Sequence, residues 1–197
     1  KIKKKFKNKI FQIDESVEHV TKKFLFSKRN NKILFIGNLN YLPNFIACRN
    51  FIKHVMPNLR KHLPEIKFRV IGNIGNINRF LIPKNSNVEL LGVKKDLSKY
   101  LKNSFCGLAN LEIATGMQGK VLSYMSYGLP VVCSKKIAHN FNKNVISYND
   151  ENDLIIKINK LKNDKKLSNK ISKNSLKFIN KFTWQKTQKK YLKIIKH

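Results

Sequence analysis

The stretch Ala114-Thr-Gly-Met-Gln-Gly-Lys-Val-Leu-Ser-Tyr-Met-Ser-Tyr-Gly-Leu-Pro-Val-Val-Cys133 predicts a loop, a helix, a turn and a strand, in that order. The helix should end near Tyr127, because Gly128 suits the left-handed residue that follows many helices and Pro130 cannot continue one. The segment 129–133 is short and rich in β-branched residues, which is typical of a buried strand. The order of these signals indicates one unit of an alternating α/β fold.

The predicted helix has two unlike faces. At 100° per residue, one face collects the apolar side chains of Met117, Val121, Leu122 and Met125. The other face collects Gly116, Gly119, Lys120 and Ser123. Glycines let backbone N–H groups approach a ligand closely, and the start of a helix favours anions. Lys120 and the N–H groups of residues 117–120 therefore form a candidate diphosphate site, although a solvated surface lysine is a serious alternative in so lysine-rich a chain.

Strands and helices alternate along the rest of the chain. Short apolar runs predict strands at residues 33–36, 67–71, 88–91, 104–111, 129–133 and 145–148, with amphipathic helices between and after them. This alternation predicts an α/β fold with a Rossmann-like parallel sheet and helices on both faces. Asn44 is expected to cap the helix after the first strand, and Pro57 to kink or restart it.

The ligand site follows from this topology. Ligands of such sheets bind outside the carboxyl ends of the strands. We therefore expect one crevice, with the 116–120 helix start at its edge, lined by the loops that begin at Gly37, Gly72, Gly92 and Leu111.

Composition narrows the function classes. The net charge of +30 would suit nucleic acid or an anionic membrane, but the lysines are spread over every segment and no nucleic-acid-binding motif interrupts them. We interpret the charge as compositional bias plus a basic surface, so nucleic acid is an unlikely partner and an anionic membrane surface stays open. No secretory signal or membrane-length apolar run is seen, which favours a cytoplasmic location. The three cysteines are expected to be buried free thiols.

Segment 116–132 resembles the donor-binding loop and helix of GT-B glycosyltransferases, in particular their family-4 group. Segments 33–44, 68–72, 88–93 and 182–184 also resemble motifs of that family, in the same order. The resemblance implies the C-terminal half of a GT-B fold. Residues 1–31 would be the end of the N-terminal domain and a linker, 32–181 the nucleotide-sugar-binding domain, and 182–197 the C-terminal helix.

The resemblance also implies an activity. Such an enzyme moves a sugar from a nucleoside-diphosphate donor to an acceptor, in polysaccharide or glycolipid synthesis, with no metal or other cofactor. The implied donor-binding residues are Gly37, Asn38, Gly72, Val93, Thr115, Gly116, Met117, Gln118, Gly119, Lys120 and Ser123. No nucleophile–base pair or metal-ligand spacing is visible, so the catalytic residues stay unknown. We expect a fragment, because the first residue is Lys1, with the acceptor site and base on a missing N-terminal domain and a possible peripheral contact at the inner face of the membrane.

One departure from the family pattern keeps other hypotheses open. The pattern has two glutamates eight positions apart, where this chain has Thr115 and Ser123. A serine binds a ribose hydroxyl more weakly than a carboxylate does. A non-catalytic nucleotide-sugar-binding module is therefore the second hypothesis, and a basic nucleic-acid-binding α/β domain is the third. Asn38, Asn40 and Asn44 suit donor contacts or turn and cap chemistry equally well.

Overall fold

The computed structural model of the chain describes residues 15–21, 24, 26–27, 30–113 and 116–195, without the side chain of Ile77. Thr115 lies outside the described residues, and so does the apolar segment 9–13, for which the sequence also predicts a strand. In chain order the elements are β1 Lys32–Ile36, α1 Leu42–Asn50, a π-helix Phe51–Val55, α2 Met56–His62, β2 Lys67–Ile71, α3 Asn76–Leu81, β3 Val88–Leu90, α4 Ser98–Lys102, β4 Cys106–Ala109, α5 Gly119–Ser126, β5 Val131–Ser134, α6 Lys135–Ala138, a 3₁₀ turn Asn142–Asn144, β6 Ile146–Tyr148, α7 Glu151–Asn163, α8 Lys165–Ile179, a 3₁₀ turn Asn180–Phe182 and α9 Trp184–Ile195.

The six strands form one sheet in the order β3-β2-β1-β4-β5-β6, and every pair is parallel. β1 lies at the centre, where Ile33 pairs with Phe68 on one side and with Cys106 on the other. From β1 the chain adds β2 and β3 on one side. It then crosses back and adds β4, β5 and β6 on the other side of β1. Right-handed crossovers put the helices between β1, β2 and β3 on one face of the sheet and α5, between β4 and β5, on the other. The predicted Rossmann-like α/β fold is confirmed.

Two groups of helices cover the sheet. α7 packs against the π-helix, α2 and β6, whereas α5 packs against β4, β5 and α8. Val121, Leu122 and Met125 are buried, as the helix periodicity predicts, and Met117 is partly buried. The core therefore continues through both layers, and the face of α5 that carries Gly119, Lys120 and Ser123 is only partly buried.

The helix after β1 differs from the prediction. It begins at Leu42 and not after Asn44, because Pro43 occupies the first turn, where its missing N–H group costs no hydrogen bond. Asn44 therefore lies inside α1 and is buried, so its predicted capping role is wrong. At Pro57 the prediction holds: after the π-helix Phe51–Val55 a new α-helix, α2, begins at Met56 with the proline in its first turn, so the predicted restart is confirmed.

The turn after α5 forms as predicted. Gly128 has φ +64°, its N–H donates to the Met125 carbonyl at 2.9 Å, and the Leu129 N–H donates to the Tyr124 carbonyl at 3.0 Å. These two bonds define a Schellman motif, which satisfies the last carbonyls of the helix. The turn sends the chain directly into β5.

Tyr124 joins α5 to the middle of the sheet. Its hydroxyl accepts a hydrogen bond from the Ile36 N–H at 2.8 Å and donates one to the Leu108 carbonyl at 3.3 Å. The ring lies so close to β4 that a β-carbon placed on Gly107 would be 2.4 Å from it. Gly107 is therefore the residue that lets α5 approach β4, and Tyr124 fixes the start of α5 near the end of β1.

A segment before the sheet runs beside α5. Val17 forms an isolated parallel bridge with Thr183, and the Thr21 N–H donates to the Ser126 carbonyl at 2.7 Å. All three cysteines are free and buried, as predicted. Within the described part of the chain, no helix is both long and apolar enough to cross a bilayer.

Candidate functional site

The glycines that end the strands meet at one edge of the sheet. The Gly37 N–H donates to the Ile71 carbonyl at 2.9 Å, and the Gly72 N–H donates to the Gly92 carbonyl at 3.0 Å. The loops after β1, β2 and β3 therefore lie side by side at the carboxyl ends of the strands. Between β1 and β4 the direction of strand succession reverses, which is where open α/β sheets bind their ligands.

Lys120, in the first turn of α5, reaches this place. Its Nζ donates to Asn44 Oδ1 at 2.6 Å and lies 4.3 Å from the centroid of the Phe35 ring. Asn44 in turn donates through Nδ2 to the Asn38 carbonyl at 3.0 Å. The ammonium group is therefore held against the end of β1 by an amide and an aromatic face, and it is not a freely solvated surface lysine.

The surroundings of Lys120 favour its neutral form. Burial lowers the pKa of the ammonium group to about 8. The nearby Cys48 thiol gives little compensation, because its own pKa is raised to about 12 by burial. No carboxylate forms an ion pair with Lys120 within the described ranges. An anionic ligand here would supply the charge that the protein does not.

The loop before α5 has its own anchor. Gly116 has φ +65°, and its carbonyl accepts a hydrogen bond from Asn140 Nδ2 at 2.8 Å. Gln118 is the N-cap residue of α5, but its side chain does not cap the helix. Met117 is partly buried between them. The structure thus places these residues and Gly119 together at the helix start, next to Lys120.

Three other predicted site residues have different surroundings. Ser123 donates its hydroxyl hydrogen to the Gly119 carbonyl at 3.0 Å, so it bonds back into its own helix. Asn38 accepts a hydrogen bond from the Asn40 N–H at 3.0 Å, which is turn chemistry. Val93 follows Gly92 and is 72% exposed, so its side chain makes little contact with the domain.

Two neighbours of the site were not in the predicted donor-binding set. Asn44 contacts Lys120 directly, as described above. Glu15 is the second: a β-carbon placed on Gly119 would lie 2.7 Å from its Oε2 atom. A separation of 104 residues in sequence leaves no local signal for the Glu15 contact, whereas the turn-like sequence around Asn44 favoured a capping interpretation.

A partly open cavity of about 440 Å³ lies elsewhere on the same edge of the sheet. It is lined by α1 and by residues after β4, β5 and β6, including Ile46, Asn110, Glu112, Lys135 and Tyr148. Asn110 Nδ2 donates to the Ala47 carbonyl at 2.8 Å, whereas its Oδ1 has no partner among the described residues. None of the predicted donor-binding residues lines this cavity, although Asn110, Glu112 and Ile113 begin the loop that leads to α5.

The described residues hold no cluster of three His, Cys, Asp or Glu side chains that could bind a metal ion. The prediction that donor binding needs no metal is not tested by this observation and stays a prediction.

Solved structures resemble this fold. S. aureus TarM in complex with UDP superposes with a TM-score of 0.71 at 21% identity, covering 93% of this chain and 39% of that chain. The pneumococcal O-GlcNAc transferase GtfA with UDP and GlcNAc gives 0.66 at 16%, covering 93% and 38%. Anabaena HepE with UDP-glucose gives 0.67 at 13%, covering 85% and 49%. The chain thus spans less than half the length of these structures.

No curated protein sequence matches the chain. The family model described as "Glycosyl transferases group 1" matches residues 30–164, which is more than half of the chain and includes β1 to α7. The match includes the whole sheet, the Lys120–Asn44 contact and the loop that leads into α5. The chain therefore belongs to the glycosyl transferases group 1 family.

Proposed function

We propose that this chain is the nucleotide-sugar-binding domain of a glycosyltransferase and that the donor's diphosphate binds at the start of α5. The observation that carries the proposal is Lys120, whose ammonium group is held by Asn44 and Phe35 beside the first turn of that helix. The helix start offers N–H groups and a partial positive charge, and the lysine adds a full one. Three proteins of similar fold hold UDP or a UDP-sugar, which supports a nucleotide donor.

The same groups suit the chemistry of glycosyl transfer. When the bond between sugar and diphosphate breaks, negative charge grows on the leaving phosphate oxygens. Lys120 and the N–H groups of the helix start would stabilise that charge without a metal ion. The acceptor site and the catalytic base would lie on an N-terminal domain, and the whole enzyme would act in polysaccharide or glycolipid synthesis.

The proposed setting is cytoplasmic, with a peripheral contact at an anionic membrane surface. α9 exposes Trp184, Tyr191 and Ile195 on one face, and its lysines lie on the opposite face. Such a division of apolar and basic side chains is typical of helices that lie in a membrane interface.

The proposal is tested by calorimetry with UDP, GDP and ADP. Lys120→Ala should make the binding free energy of the tightest of these ligands less favourable by about 1.5–3 kcal/mol, the usual contribution of a hydrogen bond to a charged group. Lys162→Ala is the matched control. Lys162 is also partly buried, contacts the carbonyl of Asn30 at 2.6 Å and lies 5.5 Å from the Phe105 ring, but at the amino end of the sheet. Equal affinity of the wild type and Lys120→Ala would remove Lys120 from the site.

One observation favours a second candidate, a domain that binds the nucleotide sugar without transferring it. Ser123 stands where the family pattern has a glutamate, and its hydroxyl is bonded to Gly119. Transfer assays with the full-length protein separate the two candidates. Nucleotide binding without any transfer or hydrolysis of the sugar would favour the non-catalytic module.

A further inference from the structure

The segment of residues 15–21 places a carboxylate at the start of α5. A β-carbon on Gly119 would lie 2.7 Å from Glu15 Oε2, 3.6 Å from its Cδ and 3.9 Å from its Oε1. Both carboxylate oxygens are therefore next to the first residue of the helix. Acidic residues are rare in this chain, which has 41 Lys and Arg against 11 Asp and Glu, and the positive end of the helix favours a carboxylate at this place.

Backbone bonds fix the position of Glu15. Two residues later, the Val17 N–H donates to the Phe182 carbonyl at 2.8 Å, and the Val17 carbonyl accepts from the Trp184 N–H at 3.0 Å. At the other end of the segment, Thr21 is bonded to Ser126, the last residue of α5. The segment thus runs along the helix from its start to its end, and the bonds of Val17 hold the neighbouring Glu15 near that start.

Glu15 and Lys120 lie on either side of the open face of α5. At 100° per residue, Ser123 falls between Gly119 and Lys120, one turn further along the helix. The lysine side chain leaves toward Asn44, and the carboxylate lies over Gly119 on the other side. A ligand on this face meets a cation on one side and a carboxylate on the other.

The chemistry of such a site selects one kind of ligand. A bare diphosphate would be attracted by Lys120 but repelled by Glu15, and it carries no hydroxyl hydrogen that the carboxylate could accept. A nucleoside diphosphate carries both an anionic group and a pair of vicinal ribose hydroxyls, and a carboxylate is the strongest acceptor for two such donors. Ser123 is bonded to Gly119 and is a weaker partner.

We propose that Glu15 is a donor-specificity residue, which accepts hydrogen bonds from the ribose hydroxyls of the nucleotide bound at α5. The inference rests on the proposed function, because it needs the diphosphate to lie at Lys120. It adds that the site is completed by a segment outside the sheet. The segment that precedes the domain then contributes directly to the choice of ligand.

The test compares three ligands by calorimetry: the tightest of UDP, GDP and ADP, its 2′-deoxy analogue, and inorganic pyrophosphate. Glu15→Gln should lower the affinity for the ribonucleotide about tenfold, since a charge-assisted hydrogen bond is roughly twice as strong as a neutral one. The loss should be smaller for the 2′-deoxy analogue, and pyrophosphate should bind equally well or better. Glu18→Gln, an exposed glutamate in the same segment, removes the same charge and should change nothing.

The outcomes separate this inference from the function on which it rests. If Lys120→Ala weakens binding but Glu15→Gln does not, the role of Glu15 is wrong and the proposed function stands. If Glu15→Gln raises the affinity for all three ligands by the same factor, the carboxylate only repels anions, and the inference is overturned. If the wild type binds no nucleoside diphosphate, or if Lys120→Ala binds as tightly as the wild type, both proposals fall.

Discussion

Lys120 shows how one residue depends on its surroundings. An exposed lysine is protonated at every physiological pH, but Lys120 lies against the Phe35 ring, and burial lowers its pKa to about 8. The pKa of the unfolded chain is the ordinary value of 10.5. The folded state is therefore the one that loses this proton first as the pH rises, so between about pH 8 and 10.5 deprotonation of Lys120 increases the stability of the fold.

The same pKa predicts a pH dependence of nucleotide binding. A diphosphate needs the protonated lysine, so affinity should be full at pH 7 and fall on the order of tenfold by pH 9.5. Calorimetry at several pH values measures this directly. Lys120→Arg is the control, because a guanidinium group keeps its charge over this range and its affinity should stay level. A wild-type affinity that does not change up to pH 9.5 would mean that the ammonium group does not contact the phosphate.

Among the secondary-structure elements, α5 with its following turn is the unit that connects core and site. Tyr124 ties it to β1 and β4, Lys120 reaches from its first turn to Asn44 in the candidate site, and Gly128 ends it in a Schellman motif. The turn is also packed from outside: a β-carbon on Gly128 would lie 2.9 Å from Ser172 Oγ and 3.1 Å from both Leu176 Cδ1 and Phe24 Cβ. Two separate effects therefore oppose any side chain at this position.

Gly128→Ala and Gly92→Ala separate these two effects. Both glycines have positive φ, +64° and +69°, but a β-carbon on Gly92 would meet no atom within 4 Å. Gly92→Ala should cost only the backbone strain of about 1–2 kcal/mol. Gly128→Ala should cost about 1–3 kcal/mol more, because it also overpacks the contact with α8. Chemical denaturation measures the free energy of unfolding of both variants. Equal losses of stability would show that α8 moves away from the turn at no cost.

For the whole molecule, the dominant feature is unbalanced positive charge. The net charge is +30, and ion pairs such as those of Lys67 and Arg69 with Glu89 and of Lys157 with Asp153 offset little of it. The lysines lie on many separate helices, strands and loops along the chain. Such a surface attracts any polyanion, with an affinity that depends on salt rather than on sequence.

Duplex DNA should therefore bind weakly and without sequence preference. Its affinity should fall by about a thousandfold between 50 and 200 mM salt, as expected when several phosphate contacts release counterions. Lys120→Ala should not change the affinity for DNA, because one partly buried lysine adds little to the electrostatic potential of so many surface lysines. Fluorescence anisotropy with two unrelated duplexes measures this. A clear preference for one duplex, retained at 200 mM salt, would revive the nucleic-acid-binding hypothesis.

Local chemistry alone determined much of this protein. Alternating apolar runs and glycine-terminated strands predicted the parallel sheet, because strand and helix periodicities are properties of neighbouring residues. The left-handed Gly128 and the apolar face of α5 were predicted for the same reason. The site was located at the carboxyl ends of the strands from topology, since the direction of the strands decides which loops meet.

Only the tertiary structure decided which side chains meet across the chain. Asn44 was interpreted as a cap, because its local sequence suits one, but Pro43 starts the helix earlier and turns Asn44 toward Lys120, 76 residues away. Tyr124 is polar enough to lie at a surface, yet the space left by Gly107 lets its hydroxyl bond two strands. Glu15 reaches Gly119 because Val17 and Thr21 are tied to distant segments. Each contact depends on packing between elements, and no spacing along the sequence encodes it.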